Sequence, residues 1–277
     1  MCVTRSALTQ LMAPASSRTI RRLATTSSSL NRSKPLSKLK KLDPKTVSLN
    51  QPFVIFGGFL ITQEVYRPLA DWIDQATGAA VHIVPASKLD WLATSWGFGW
   101  RRLLDRVDAA VCELQSQSPT GRVTLIGHSS GGVMLRPYLA DQTFLGRRFN
   151  GAARCNRLIT LGSPHQALRA TPLRARVDRE FPGCPEADRV DYVAVAGRLD
   201  PLGANASNFS RRSAARSYRQ IMGDPDLQGD GLVPLPSALL RDARSIELAD
   251  TAHGGLFGQS WYGSTDRIER WWSQLGD

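Results

Sequence analysis

The sequence predicts an α/β domain in which a mostly parallel sheet is covered by helices on both faces. Short apolar segments rich in β-branched residues alternate with segments of helical periodicity from residue 53 onwards. The third apolar segment runs directly into a turn rich in glycine and serine. About 230 residues follow the N-terminal segment, which is enough for one large α/β domain.

The order of the elements follows from these patterns. The predicted strands are Phe53–Phe56, Ala80–Val84, Val123–Ile126, Arg157–Leu161, Val190–Ala196, Tyr218–Met222 and Ser245–Leu248. The predicted helices are Gln63–Gln75, Gly99–Gln115, a helix from Ser130, and Asp266–Leu275. Because parallel sheets bind ligands beyond the carboxyl ends of their strands, we expect the functional residues in the loops after the strands.

The first 42 residues differ from the rest of the chain in composition. They contain nine Lys or Arg residues and no Asp or Glu, and Ser and Thr fill much of the remainder. A basic, hydroxyl-rich, acid-free N-terminus is typical of an organelle transit peptide, for a plastid or a mitochondrion. We therefore predict a transit peptide over residues 1–47 and the α/β domain over residues 48–277, with an untargeted basic tail as the alternative.

The net charge of +11 comes from 35 Lys and Arg against 24 Asp and Glu. Without the nine basic residues of the leader, 26 basic residues face 24 acidic ones, so nucleic-acid binding loses most of its support. No apolar run approaches the ~18 residues of a membrane span. The four cysteines have no metal-ligand spacing and no disulfide pattern. We predict no nucleic-acid partner and no cofactor.

The chemistry of the chain centres on the segment 127–131, Gly-His-Ser-Ser-Gly, which matches G-x-S-x-G. An apolar strand precedes it and a helical pattern follows it, which is the context that this motif requires. The serine of such a turn has a strained backbone, and the flanking glycines let neighbouring backbones pass. We predict Ser129 as the nucleophile and the Ser130 N–H as a donor to an oxyanion, against the alternative of a plain Gly-Ser connection.

A serine hydroxyl needs a base, and the chain has four histidines. His82 lies inside a predicted strand, where a packed or surface role is expected. His128 belongs to the turn itself and is expected to point away from the base, whereas His165 is expected to line or brace the site. His253 follows the last strand and fits the chain order of nucleophile, acid and histidine, so we predict it as the base.

Two aspartates stand between the nucleophile and the base as candidates for the acid. Asp230 is flanked by glycines, which permit a tight loop, and it precedes His253 by one strand. Asp200 follows the predicted strand at 190–196 and is the alternative. The acid would hold the imidazole tautomer, and either aspartate alone would serve equally well as a turn residue. We favour Asp230.

A second oxyanion donor is expected in the loop after the first strand, at Gly57–Phe59. We predict the Phe59 N–H, with Gly58 next and a plain turn as the structural alternative. An aromatic stretch at the same edge contains Trp91, Trp96, Phe98 and Trp100. It predicts a wall that binds an acyl chain or touches a membrane, with a packing cluster as the alternative. The segment 164–185, rich in Arg and Pro, is expected to form a short cap.

These residues resemble the lipase-like α/β-hydrolases, including those similar to GPI-inositol deacylases, and most of all a set of predicted plastid hydrolases of plants, algae and cyanobacteria. The resemblance covers most of the chain after residue 50. Its blocks are Ile126–Gly132, Leu161–His165, Gly229–Ala238 and Trp261–Ser264, helped by Asp90–Leu92. It implies the α/β-hydrolase fold and a plastid location, and in lipases with the Gly-Asp-Gly-x-Val-Pro block the aspartate is the triad acid, which supports Asp230.

The chain departs from this family pattern in three places. The oxyanion loop lacks the histidine that many lipases carry, so its bracing is expected to differ. Pro137 falls inside the helix after the nucleophile, where proline costs about 3 kcal/mol. Gly254 and Gly255 stand where calcium-binding bacterial lipases carry an acid, so we predict no metal.

The sequence thus predicts a serine hydrolase that cleaves carboxylic esters through an acyl-enzyme. The resemblance favours lipid or acyl-glycerol esters, and the expected partners are a small-molecule or lipid ester and, peripherally, a membrane. An acyltransferase with the same triad is the first alternative. A ligand-binding protein that keeps the fold with weak catalysis is the second.

Overall fold

The computed structural model describes residues 50–276, and the predicted transit peptide at 1–47 lies outside them. The strands are β1 (Phe53–Phe56), β2 (Val81–Ile83), β3 (Val123–His128), β4 (Thr143–Phe144), β5 (Arg147–Arg148), β6 (Cys155–Leu161), β7 (Asp191–Arg198) and β8 (Arg244–Ala249). Six of them form one sheet in the order β2-β1-β3-β6-β7-β8, and all five neighbouring pairs are parallel. β4 and β5 form a separate antiparallel hairpin.

Helices cover both faces of this sheet. They are α1 (Arg67–Thr77), α2 (Lys88–Leu92), α3 (Gly97–Gln117), α4 (Ser130–Leu139), α5 (Pro172–Glu180), α6 (Asn208–Met222), α7 (Leu235–Ala238) and α8 (Thr265–Trp272), with 3₁₀ turns at Gln63–Tyr66, Ala93–Ser95 and Gly151–Ala153. One core contains residues of α3, α4 and α5, and the other contains residues of α1 and α8. The predicted fold class, a parallel sheet between two helical layers, is confirmed.

The strands divide their side chains between these two cores with a period of two. In β1, Val54 and Phe56 join the core beneath α3 and α4, whereas Phe53 and Ile55 join the core beneath α1 and α8. All four side chains are buried. An uninterrupted apolar strand of this kind is what a sheet covered on both faces requires.

The predicted strand at Tyr218–Met222 is wrong. These residues form the last turns of α6, which begins after Ser207 and ends at Gly223. The Ser207 hydroxyl accepts the Ser210 N–H, and Gly223 adopts a left-handed φ of 82°. The two helix caps therefore define a helix through a stretch whose apolar residues alone resembled a strand.

The segment predicted to be a cap, residues 164–185, contains α5. This helix begins after Thr171, whose side chain accepts the Arg174 N–H. Val177 and Phe181 are buried in the core shared with α4. The segment is thus anchored on the helix that follows the nucleophile turn.

Within residues 50–276, no helix is long and apolar enough to cross a membrane. The three cysteines of this region, Cys112, Cys155 and Cys184, form no disulfide within residues 50–276. Burial raises the pKa of the Cys184 thiol to about 12. Cys155 is buried in the core beneath α3 and α4, and Cys184 packs against that core.

Candidate active site

Ser129 occupies the turn between β3 and α4 with the strained backbone that the motif predicts. Its φ is 53° and its ψ is −125°, and few non-glycine residues adopt a positive φ. A Cβ on Gly127 would lie 2.4 Å from the Gly132 Cα, and one on Gly131 would lie 2.4 Å from the Gly57 carbonyl oxygen. Both contacts are with backbone, so only glycine allows this turn to pack against the sheet.

The side chains of Ser129, His253 and Asp230 form one continuous hydrogen-bonded row. The Ser129 Oγ lies 3.0 Å from the His253 Nε2, and the His253 Nδ1 lies 2.8 Å from the Asp230 Oδ2. Because the carboxylate can only accept, the proton on Nδ1 points to Asp230 and leaves Nε2 to accept the serine hydroxyl. Asp230 and His253 are buried, so water does not compete for these bonds.

The Asp230 carboxylate is held on both oxygens. Its Oδ1 accepts the backbone N–H groups of Leu232, at 3.1 Å, and Val233, at 2.7 Å. Its Oδ2 accepts the Tyr262 hydroxyl at 2.8 Å in addition to His253. The His253 N–H also donates to the Asp230 carbonyl oxygen at 2.8 Å, so the two loops are fixed to each other. Four donors compensate the buried negative charge.

Asp200, the other candidate for the acid, is exposed. Its Oδ1 accepts the Leu202 N–H at 2.9 Å, which closes a local turn. An aspartate that bonds its own backbone two residues on is an ordinary turn residue. Of the two sequence candidates, the structure brings only Asp230 to His253.

The loop after β1 lies against the nucleophile. A Cβ on Gly58 would be 2.7 Å from the Ser129 Cβ. The Gly58 N–H already donates to the Tyr66 hydroxyl at 2.8 Å. The Phe59 N–H, in contrast, bonds to no residue in the described part of the chain. The first N–H groups of α4, beginning with Ser130, have no acceptor within their own helix. Phe59 rather than Gly58 therefore has a backbone donor available.

Tyr66 and His128 connect this loop to the base. The Tyr66 hydroxyl donates to the His128 Nδ1 at 2.8 Å, and the His128 Nε2–H donates to the His253 carbonyl oxygen at 2.9 Å. The two imidazole rings lie 4.8 Å apart between centroids. Burial is the main cause that lowers the pKa of His128 well below its usual value, and the neighbouring His253 is the second. The ring is therefore neutral, as these bonds require.

The expectation that His128 points away from the base is wrong. β3 extends to His128, so its side chain lies on the same face of the sheet as Ile126. That face carries the core to which Tyr66 and Ile126 belong. The period of the strand thus directs the imidazole to the α1 side, where the loop of His253 also lies.

The remaining histidines lie apart from the hydrogen-bonded row. His165 is buried and braces the loop after β6: its Nε2 lies 3.0 Å from the Thr160 Oγ1, and its N–H donates to the Ser237 carbonyl oxygen at 2.8 Å. Burial lowers its pKa well below the usual value. His82 is half-buried in β2.

Sequence reasoning missed Tyr66 and Tyr262. Tyr262 lies in the Trp261–Ser264 block that carries the family resemblance, but the resemblance assigns this tyrosine no role. Its hydroxyl accepts the Gly197 N–H at 2.7 Å and donates to Asp230. Tyr66 stands in the 3₁₀ turn before α1, and no local pattern marks it.

The aromatic stretch after β2 divides into two groups. Trp91 is fully buried and lies 5.5 Å from Phe56 and 6.4 Å from Phe59 between ring centroids. Trp96 and Phe98 stack on each other at 6.1 Å and are exposed. The packing interpretation therefore applies to Trp91, whereas Trp96 and Phe98 lie outside the core.

Among residues 50–276, no group of His, Cys, Asp and Glu side chains is arranged to hold a metal ion. The site itself offers a hydroxyl, an imidazole, a carboxylate and backbone N–H groups. This set can activate a serine and stabilise an oxyanion.

Comparisons with known proteins show the family and the fold of the chain. The palmitoyl protein thioesterase family matches residues 52–198, slightly more than half of the chain. Among solved structures, the chain is similar to the Bacillus licheniformis lipase BlEst2. The mature form has a TM-score of 0.51 at 16% identity, covering 79% of this chain and 89% of that chain. The propeptide form has a TM-score of 0.52 at 17% identity, covering 74% and 46%. No curated protein matches. The structural likeness identifies the α/β-hydrolase fold.

Proposed function

This chain belongs to the palmitoyl protein thioesterase family, and from that membership we propose that it is a serine hydrolase that cleaves acyl esters through a covalent acyl-enzyme. The observation that most supports the proposal is the buried row of Ser129, His253 and Asp230, with separations of 3.0 and 2.8 Å. A nucleophile and a base within hydrogen-bond distance, with the base oriented by a third group, are the parts that such a reaction needs.

In the proposed reaction, the Ser129 Oγ attacks the acyl carbonyl carbon while its proton moves to the His253 Nε2. The carbonyl oxygen becomes negative, and the N–H groups of Ser130 and Phe59 stabilise it. His253 then returns the proton to the leaving group as the ester bond breaks. Water attacks the acyl-enzyme with the same help, which releases the acid and restores Ser129. Asp230 keeps the imidazole oriented and stabilises its charged form.

The proposed substrate is a fatty-acyl ester, with a lipid or acyl-glycerol oxygen ester as the favoured form. A thioester is the second candidate because the family description names one. Both substrates have the same acyl half and pass through the same acyl-enzyme, so they differ only in the leaving group. An alcohol in place of water would make the enzyme an acyltransferase, which product analysis with competing alcohols distinguishes.

The test is labelling of the full-length protein with a fluorophosphonate probe, followed by mass mapping. We expect a label on Ser129 that disappears in Ser129→Ala and in His253→Ala. Asp200→Ala is the matched control and should label like the wild type, because Asp200 lies in a separate exposed turn. A folded wild-type protein that does not react would overturn the hydrolase proposal in favour of a binding protein.

Two substrates with the same acyl chain then resolve the leaving group. The rates of hydrolysis of an oxygen ester and of a thioester should both vanish in Ser129→Ala, and the larger kcat/KM identifies the preferred class. We also propose a plastid location, with the mitochondrion as the alternative. A fusion of residues 1–47 to a fluorescent protein tests it, and diffuse fluorescence would contradict organelle targeting.

A further inference from the structure

The exposed large apolar side chains of the described residues lie at a single edge of the sheet. In the described residues, eleven large apolar side chains are exposed, and each follows the carboxyl end of a strand, in a loop or at the start of the next helix. Because the strands are parallel, these ends share the edge that carries Ser129. We call this set the apolar rim: Phe59, Leu60, Val65, Leu89, Leu92, Trp96, Phe98, Leu168, Leu202, Phe209 and Leu256.

Single exposed apolar residues are common on soluble proteins, but their confinement to one edge is not. The rim receives residues from the loops after β1, β2, β6, β7 and β8, so it surrounds the loop after β3 that holds the nucleophile. Several of its members are largely exposed: Leu202 at 86%, Leu89 at 76% and Leu168 at 72%. Such a ring leaves apolar area in water that contact with a lipid surface would remove.

The charges of the same segments are mainly positive. Seven basic and four acidic residues lie in the segments that contribute to the rim, which are 57–67, 84–102, 162–171, 199–212 and 250–264. The basic residues are Arg67, Lys88, Arg101, Arg102, Arg169, Arg211 and Arg212. Of the acids, Asp90 pairs with Arg102 of these segments and with Arg106 outside them, and Asp250 pairs with Arg267 outside them. An excess of positive charge beside exposed apolar side chains is complementary to an anionic bilayer.

We propose that the apolar rim is a docking surface for an anionic phospholipid bilayer, on which Ser129 meets acyl esters held in the membrane. This inference rests on the proposed hydrolase function. The rim side chains enter the interface while the arginines bind lipid phosphates. The buried site then opens onto the lipid phase, so a membrane-held acyl chain reaches Ser129 without crossing water.

The test compares binding to vesicles of phosphatidylcholine alone with binding to vesicles of phosphatidylcholine and phosphatidylglycerol in equal amounts. The full-length Ser129→Ala protein is used so that turnover does not alter the lipid. We expect stronger sedimentation with the anionic vesicles, reduced by added salt because salt screens the arginines. Absence of sedimentation with either vesicle would overturn the proposal.

Two variants locate the contact. The double change Trp96→Ser and Phe98→Ser removes a stacked pair from the rim and should lower vesicle binding about tenfold or more. Arg211→Gln with Arg212→Gln should lower binding to anionic vesicles alone, whereas Arg241→Gln is the matched control. Arg241 is exposed but precedes β8, at the opposite edge of the sheet, and should leave binding unchanged.

The readouts separate this proposal from the hydrolase function. Without the Ser129→Ala background, the Trp96 and Phe98 variant should keep wild-type fluorophosphonate labelling and wild-type hydrolysis of a water-soluble ester. A wild-type protein that the probe does not label would contradict the hydrolase function, and vesicle binding could still be measured. Vesicle binding that the rim variants do not change would overturn the docking surface. A rim-dependent dimer that ignores vesicles would assign the rim to a second copy of the chain instead.

Discussion

Removal of a single hydroxyl, in Tyr66→Phe, is expected to damage the oxyanion loop and leave the row of Ser129, His253 and Asp230 intact. That hydroxyl accepts the Gly58 N–H and donates to the His128 Nδ1, both at 2.8 Å. Phenylalanine fills the same space but leaves both groups unpaired in a buried environment. The cost is about 1–3 kcal/mol for each group. For the two groups together, we expect the free energy of unfolding to fall by roughly 2–6 kcal/mol.

The effect on catalysis follows from the position of Phe59, which directly follows Gly58. One oxyanion donor contributes roughly 10²–10³ in kcat. A loop that has lost one anchor but keeps the rest of its contacts should lose part of that contribution. We expect kcat to fall by about 10- to 100-fold with little change in KM, because the donor acts mainly on the transition state.

The assay combines steady-state hydrolysis of a soluble ester with unfolding in urea. Tyr138→Phe is the matched control: Tyr138 is equally buried, and its hydroxyl donates to the Asp108 Oδ1 at 3.3 Å in the core beside α3. It should lose stability and keep kcat. Full kcat in Tyr66→Phe, or an equal loss in both variants, would refute a role of Tyr66 in positioning the loop.

Three further predictions concern the triad acid, the turn and acid stability. Asp230→Asn should lower kcat by about 10⁴-fold, because the amide no longer fixes the tautomer of His253; a loss below tenfold would contradict this. Gly132→Ala should impair folding, since its Cβ would lie 2.1 Å from the Ser163 Oγ, and soluble yield together with circular dichroism measures it. Burial lowers the pKa values of His128 and His165 in the fold. On acidification, the unfolded chain therefore takes up protons before the folded one does. The free energy of unfolding should keep its full value above about pH 6.5. At lower pH it should decrease by up to about 1.4 kcal/mol per pH unit for each histidine. Urea titrations across pH measure this slope, and His165→Gln should remove one histidine's share; an unchanged slope would argue against its neutral state.

Local patterns predicted most of the fold. β1 was predicted with its observed bounds because four consecutive buried residues end at two glycines. The nucleophile turn was predictable because its glycine spacing reflects clashes with nearby backbone, which any sequence with this turn must avoid. The prediction of a strand at residues 218–222 is wrong because the helix there depends on caps at Ser207 and Gly223, which lie outside these five residues.

The site residues that follow a known chain order were predictable, whereas those placed by contacts between distant segments were not. Asp230 and His253 follow the nucleophile in the chain order that is usual for this fold. The structure distinguishes Asp230 from Asp200 by the burial of each carboxylate and by the groups that donate hydrogen bonds to it. Tyr66 reaches His128 across 62 residues, and Tyr262 reaches Asp230 across 32. A hydroxyl that completes such a bridge has no periodic or neighbouring signal, so one sequence does not reveal it.

The bridge through His128 has a consequence for how activity emerges during folding. It joins the segment of Tyr66, the end of β3 and the loop of His253, and the last two are 125 residues apart along the chain. No fragment that lacks any of these segments holds both the base and the oxyanion loop in place. Recovery of activity during refolding should therefore coincide with completion of the whole sheet and never precede it. Activity therefore reports complete folding of the domain, and partly folded chains should be inactive.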